Sequence, residues 1–233
     1  MTQENSDGPS RTVVIACATV IEELLPLLPP GMEHHTLEFG LHAYPERLRH
    51  TLQAAIDEAV RQHAGEALPP TILLGYGLCS QALVGVEARG CRLVLPRVDD
   101  CIAIFLGSRA AYRRQAGAEP GTYYLTKGWI EVGDTPFSEY QEAVRRFGAE
   151  RAERLYRAMM ANYRRLALIN TGQYEIEKYR AYARRTAERF GLRYEEVQGS
   201  DALVRRLLFG PWDGEFVVLE PGEAFTLEHF YHL

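Results

Sequence analysis

Short, β-rich apolar runs alternate with stretches of helical periodicity along almost the whole chain. The runs that predict strands lie at residues 11–17, 35–41, 71–76, 92–96, 121–125, 166–170, 194–197 and 215–219. Helical spacing predicts helices at 45–62, 102–114, 138–164 with a break near Gly148, 174–190, and from Asp201 to about Gly210. Strands that alternate with helices pair in parallel through crossover connections. The sequence therefore predicts an α/β fold of three-layer, Rossmann-like architecture around a mainly parallel sheet.

The length of 233 residues allows one large hydrophobic core or two smaller ones. Residues 1–10 are polar and acidic, which predicts a disordered tail. A boundary near Arg164 would divide the remainder into an α/β domain over 11–164 and a smaller α/β lobe over 165–233. One continuous sheet is the alternative organisation.

The composition excludes several classes of partner. The formal net charge is -5 with both signs interspersed, which argues against a nucleic-acid partner held by phosphate contacts. No apolar run reaches the ~18 residues of a membrane-spanning helix, and the N-terminus lacks the basic and apolar regions of a signal peptide. We therefore expect a cytoplasmic protein in a reducing compartment. Cysteines there act more often as ligands, nucleophiles or core fillers than as disulfide partners.

Three of the four cysteines follow predicted strands. Cys17 ends the first strand, and Cys79 and Cys101 come just past the ends of the third and fourth. The carboxyl ends of parallel strands lie at one edge of a sheet, where ligands bind. We therefore expect these three thiols to share a site. Cys91 precedes its strand, so it belongs at the opposite edge and receives no role.

Two kinds of metal centre fit three such thiols. With His42, which follows the second predicted strand, they would complete a tetrahedral zinc site. Without a fourth ligand they suit an iron–sulfur cluster with one open iron, which we slightly prefer. The carboxylates of Asp99 and Asp100 beside Cys101 favour zinc instead. A metal-free thiol site, with the cysteines as reactive or buried side chains, is the third alternative.

A polar segment leads into Cys101 and offers candidate catalytic groups. Arg97 could neutralise a thiolate or hold a substrate carboxylate. Asp99 and Asp100 could orient a ligand or act as acid and base. Capping of the following helix explains one aspartate equally well.

Further residues are candidates for contacting a cofactor. Gly75 and Gly77 would let the backbone approach a bound group before Cys79. Lys127, after the strand GTYYL, would place a cation near the same edge. The loop NTGQY at 170–174 resembles a small anion-binding loop, although an ordinary strand–turn–helix junction explains it as well.

At LGYGLC, LPRVDDCIAIFLGS, PGTYYLTKGW and LINTGQYE the chain resembles domain-of-unknown-function family 1638, from about Arg11 to the C-terminus. Members of that family occur in anaerobes and methylotroph-like bacteria and archaea, often beside corrinoid-dependent methyltransferase systems. The resemblance implies a role in methyl-group or one-carbon metabolism. Ser80-Gln81 departs from the family pattern, which has glycine and a small polar residue there. That pattern falls on Cys17, His42, Cys79, Arg97, Asp99, Asp100 and Cys101.

Two classes of function stay open. As an enzyme, the protein would use the metal site to activate a thiol or a small-molecule substrate, in methyl transfer. As a carrier, it would hold a metal or corrinoid-like cofactor for a corrinoid or methyltransferase protein without turnover. A concave, partly apolar pocket at the cysteine edge would favour the enzyme.

Overall fold

The computed structural model describes residues 11–133 and 135–231, and these form two compact units. The first unit contains the described residues up to 104 together with 203–231, and the second unit contains 105–202. The predicted boundary near Arg164 falls inside the second unit. The observed division differs from the predicted one because residues 203–231 belong to the first unit. The predicted tail, residues 1–10, lies outside the described residues.

Strands and helices alternate as the sequence predicts. In chain order the elements are β1 (Thr12–Cys17), α1 (Ala18–Leu24), β2 (Glu33–Leu37), α2 (Pro45–Gln62), β3 (Thr71–Gly75), β4 (Arg92–Pro96), α3 (Cys101–Phe105), α4 (Arg109–Ala118), β5 (Thr122–Leu125), α5 (Lys127–Val132), α6 (Pro136–Phe147), α7 (Ala149–Met160), β6 (Arg165–Asn170), α8 (Glu177–Phe190), β7 (Arg193–Gln198), α9 (Ala202–Phe209) and β8 (Phe216–Leu219).

The first unit is built on a five-stranded sheet of order β2-β1-β3-β4-β8. Its first four strands are parallel, and β8 pairs antiparallel with β4. The chain runs from β1 to β2 on one side and then crosses to β3 on the other. In open α/β sheets this reversal creates a crevice at the carboxyl ends of the two diverging strands, where ligands bind. The crevice of the first unit therefore lies at the ends of β1 and β3.

Burial of apolar side chains on both faces explains the stability of this sheet. Every residue of β3 is buried, as expected for a central parallel strand. The helix α2 has the predicted bounds, and Leu48, Leu52 and Ile56 on its apolar face are all buried. Each such side chain contributes about 1.5–3 kcal/mol of transfer free energy.

The second unit contains a three-stranded parallel sheet of order β5-β6-β7. Its helices α6 and α7 meet at Gly148, whose φ of 80° produces the break that the sequence predicts. A capping box starts α6 at Thr135, with Ser138 as its second member. Two mainly parallel sheets with crossover helices confirm the α/β, Rossmann-like class.

Some predicted elements differ from the observed ones. The helix predicted at 102–114 is interrupted at Gly107, where φ is 81°, and α1 and α5 were not predicted. The second strand lies earlier than predicted, at Glu33–Leu37. Among the helices of residues 11–133 and 135–231, none has the length and apolar character needed to span a membrane.

Candidate functional site

The structure places the three cysteines at the carboxyl edge of the first unit's sheet. Cys17 is the last residue of β1, Cys79 follows β3, and Cys101 begins the helix after β4. These strands are adjacent and parallel, so their ends lie side by side. Cys17 and Cys79 follow the two strands that form the crevice. The cysteines therefore occupy the position where this architecture binds ligands.

Backbone hydrogen bonds join the loop that carries Cys79 to the loop that leads into Cys101. The Leu78 N–H donates to the Val98 carbonyl at 2.9 Å, and the Cys79 N–H donates to the Asp99 carbonyl at 3.1 Å. Gly77 permits this approach, because a Cβ there would lie 2.9 Å from the Asp100 Cα. Gly77 thus has a packing role between the two loops.

Gly75, the last residue of β3, also has a packing role. Its register partner in β1 is Ala16, and a Cβ on Gly75 would lie 2.5 Å from the Ala16 Cβ. The side chains of Val20 and Leu24 in α1 would meet it at 3.2 and 3.1 Å. The missing side chain lets β3 pack against β1 and α1.

The three partly buried thiols influence one another. Burial, the neighbouring Cys17 and Asp100 together raise the pKa of Cys79 to about 12, opposed by the Gly77 backbone. Burial, Cys17 and Cys79 raise the pKa of Cys101 well above its ordinary value. The Cys17 Sγ lies 2.9 Å from the Thr19 Oγ1. Ionising Cys79 or Cys101 is therefore made harder by the neighbouring thiols.

In metal-free protein we expect alkylation of Cys79 to be slow near neutral pH. With a pKa of about 12 against an ordinary 9.0, its thiolate fraction at pH 8 is lower by at least about a hundredfold. Between these two values the folded state keeps a proton that the unfolded state loses, so this group's contribution to stability declines as pH rises. Peptide mapping by mass spectrometry after timed alkylation measures the rate. Alkylation as fast as that of an unstructured cysteine peptide would contradict the expectation.

Tyr76 was not among the predicted site residues. Its side chain is only 3% exposed, and within the described residues its hydroxyl has no hydrogen-bond partner. Burial raises the pKa of this phenol, and so do Cys17, Cys79 and Cys101, so the hydroxyl lies within electrostatic reach of all three thiols. An unsatisfied buried hydroxyl costs about 1–3 kcal/mol. Tyr76 is thus a donor available to a group bound among the cysteines.

The polar segment before Cys101 has structural contacts of its own. The Asp100 carboxylate accepts from the Ile102 N–H at 2.9 Å and caps α3, while burial raises its pKa. Arg97 donates its backbone N–H to the Glu215 carbonyl at 2.7 Å and its Nη2 to the Phe216 carbonyl at 3.4 Å. Both residues therefore fix the loop, and a catalytic role for them, and for Asp99, stays a prediction.

Two other predicted residues, His42 and Lys127, lie on elements that do not carry the thiols. Because β2 ends at Leu37, His42 lies in a 3-10 turn beyond it, where its exposed ring packs edge-on against Phe39 at 5.9 Å. Lys127 begins α5 in the second unit. Over 11–133 and 135–231, no three His, Cys, Asp or Glu side chains form a group that could hold a metal ion.

Cys91 provides an internal comparison. It precedes β4, at the opposite edge from the other three cysteines, and is fully buried in the core of the first unit. Burial and then Asp57 raise its pKa to about 12. Its position agrees with the prediction that it takes no part in the site.

The backbone is strained where it carries Cys79. Cys79, Ser80 and Gln81 are consecutive non-glycine residues with φ of 46°, 55° and 65°. Left-handed backbone costs an L-residue about 1–2 kcal/mol. Strain of this kind persists where the surrounding structure enforces it, often at functional sites.

Replacing Ser80 with glycine is expected to raise the free energy of unfolding by about 1 kcal/mol, since glycine adopts left-handed backbone without steric cost. Chemical denaturation of metal-free protein measures the change. The matched control is Ser80→Ala, which removes the hydroxyl but keeps the Cβ and the strain. Equal stability of the two variants would show that the backbone at this position is not strained.

Comparison with known protein families identifies the family of this chain. The model of the family described as "Protein of unknown function (DUF1638)" matches residues 36–208, which include Cys79 and Cys101 and begin after Cys17. No curated protein and no solved structure matches the chain. The family match covers well over half of the 233 residues and confirms the resemblance seen in the sequence. The chain therefore belongs to the DUF1638 family.

Proposed function

We propose that the first unit holds an iron–sulfur cluster through the thiolates of Cys17, Cys79 and Cys101, and that a small molecule binds beside it. One observation carries this proposal. Three thiols from distant parts of the chain lie at the carboxyl ends of adjacent parallel strands, and all three influence the pKa of the buried Tyr76, whose hydroxyl has no hydrogen-bond partner within the described residues. Soft thiolate donors select iron–sulfur clusters, zinc or copper(I).

The donor set favours a cluster over a single zinc ion. Zinc takes four ligands at about 2.0–2.3 Å, which requires ligand sulfurs about 4 Å apart. The exposed His42 ring packs edge-on against Phe39, and within the described residues no three His, Cys, Asp or Glu side chains form a group that could hold a metal ion. The sulfurs that hold a cluster are spaced more widely, at roughly 6–7 Å, because each binds a different iron. Three cysteines without a fourth ligand then leave one iron open.

The electrostatics of the site support a cationic occupant. Burial and the neighbouring thiols and Asp100 make ionisation of Cys79 and Cys101 unfavourable in the metal-free protein. A bound cationic centre makes the thiolate forms favourable instead, so its binding releases protons from the thiols. When bound, a cluster with an open iron supplies a Lewis acid for a polar group of a small molecule.

This chain's own contribution is a buried donor next to the thiols. The Tyr76 hydroxyl is placed to donate to a ligating sulfur or to the bound small molecule, which would satisfy it. Gly77 and the hydrogen bonds of Leu78 and Cys79 fix the thiols of the two loops relative to each other. Such hydrogen bonds to sulfur are a principal means of tuning a cluster.

The biological role remains a proposal from the family resemblance. Methyl-group or one-carbon chemistry, a corrinoid or methyltransferase partner, and a cytoplasmic location fit the family setting. Either turnover of a small substrate or delivery of the centre to a partner is compatible with a cluster at this crevice.

Purification without oxygen tests the proposal directly. We expect a brown protein with broad visible absorbance that fades in air, containing iron and acid-labile sulfide in stoichiometric amounts. A colourless protein with stoichiometric zinc would show that the site holds zinc instead of a cluster. Absence of both metals after anaerobic preparation would contradict any metal function and leave a metal-free thiol site.

A further inference from the structure

Two buried threonines follow adjacent strands of the second unit. Thr126 comes directly after β5 and is 1% exposed, and Thr171 comes directly after β6 and is 8% exposed. Neither hydroxyl has a hydrogen-bond partner within the described residues. Thr126 occupies the N-cap position of α5, yet its side chain makes no capping hydrogen bond. Both hydroxyls are thus buried and unused.

The two threonines lie at the same edge of the second unit's sheet. β5 and β6 pair in parallel, with Leu125 beside Leu168, so the residues after them lie on neighbouring strand ends. The Tyr174 hydroxyl donates to the Ile169 carbonyl at 2.6 Å and accepts from the Lys127 N–H at 3.4 Å. This tyrosine joins the loop after β5 to the loop after β6.

The Thr171 side chain lies beside Gly199. Gly199 follows β7, and a Cβ there would lie 3.1 Å from the Thr171 Cγ2 and 2.6 Å from the Phe105 carbonyl oxygen. The threonine methyl group therefore occupies the space beside Gly199. The Thr171 hydroxyl has no hydrogen-bond partner within the described residues.

Unsatisfied buried hydroxyls need an explanation, because desolvation of each one costs free energy that a hydrogen bond would recover. Valine has the same shape as threonine and would fill either position without that cost. Two such hydroxyls at the carboxyl edge of a parallel sheet, the edge at which these folds bind ligands, indicate a polar ligand.

Both signs of charge occur at this edge, where Gln173 of the loop after β6 donates to the Asp201 carboxylate at 2.9 Å. Lys127 brings a cation next to Thr126. Two nearby carboxylates are already paired, Glu131 with Lys178 at 3.2 Å and Glu196 with Arg180 at 2.7 Å. Lys127 also helps to lower the pKa of Glu131, after the larger effect of a tyrosine hydrogen bond. Hydroxyl donors beside a cation are typical of sites for phosphate oxygens.

We propose that the second unit binds the phosphate group of a small molecule at this edge, with the hydroxyls of Thr126 and Thr171 donating to its oxygens and Lys127 balancing its charge. The loops TKGW and NTGQY, each too generic alone to identify a site, then form the two sides of one site. The proposal does not depend on the cluster in the first unit.

Calorimetric titration of the full chain with inorganic phosphate, at constant ionic strength, tests this site. We expect saturable binding that weakens by about tenfold or more in Thr126→Val and in Thr171→Val. Without phosphate, both variants should melt no lower than the unchanged protein, because each removes an unsatisfied hydroxyl. A parallel titration with glycerol phosphate shows whether the natural ligand is a phosphate ester or free phosphate. Tighter binding of glycerol phosphate than of inorganic phosphate indicates an ester, and equal binding indicates the free anion.

Thr186→Val is the matched control. Thr186 is also fully buried in the second unit, but its hydroxyl donates to the Tyr182 carbonyl at 3.0 Å. This variant should lose stability and keep its phosphate affinity. No saturable phosphate binding, equal response to sulfate and chloride, or unchanged affinity in both Thr126→Val and Thr171→Val would overturn the proposal.

Discussion

The Cys79→Ser variant, purified without oxygen, is expected to contain less than about a tenth of the iron and labile sulfide of the unchanged protein. Even changes to residues behind the ligands cost 10–100-fold in metal affinity, so loss of a ligand costs more. Cys17→Ser and Cys101→Ser should have the same effect, because a cluster that already has only three protein ligands tolerates the loss of none. Iron and sulfide analysis together with the visible spectrum measure the effect.

Cys91→Ala separates loss of a ligand from general damage to the first unit. Cys91 belongs to the same hydrophobic core and is more deeply buried than the other three cysteines, but it lies at the opposite edge of the sheet. It should keep full iron while losing some stability to the cavity. Equal loss of iron in Cys91→Ala and Cys79→Ser, or full iron in any of the three site variants, would contradict the proposed ligands.

Elements with strong local patterns are the ones that the sequence predicts well. α2 and β4 have the predicted bounds, because an amphipathic repeat and a short run of buried apolar residues each determine one structure locally. The antiparallel direction of β8 and the return of 203–231 to the first unit depend on contacts between distant residues. No local pattern encodes them, so the division into units that depends on these contacts could not be read from the sequence.

The same distinction applies to the site. Cys17, Cys79 and Cys101 could be placed at one edge because their positions depend only on parallel topology. His42 depended on where β2 ends, and that strand is half exposed with a weak pattern. Tyr76 could have been suspected as the polar end of the apolar run TILLGY, at the crevice strand, but its lack of a partner is visible only in three dimensions.

Gly77→Ala is expected to lower both the iron content and the stability of the protein. The added Cβ would lie 2.9 Å from the backbone Cα and carbonyl carbon of Asp100, atoms that cannot move aside as a flexible side chain can. Relief of that overlap must separate the two loops and lengthen the hydrogen bonds from Leu78 and Cys79. Overpacking of this kind costs about 1–3 kcal/mol. It also displaces Cys79 from Cys101, so we expect at least half of the iron to be lost.

Gly214→Ala is the matched control, since a Cβ at Gly214 meets no atom within 4 Å and its backbone is not left-handed. It introduces the same methyl group into the same unit and should leave iron content and the denaturation midpoint unchanged. Iron analysis on anaerobic samples and denaturation of metal-free samples measure the two effects separately. A Gly77→Ala protein that is destabilised but retains full iron would mean that the spacing of the two loops does not determine the geometry of the thiols.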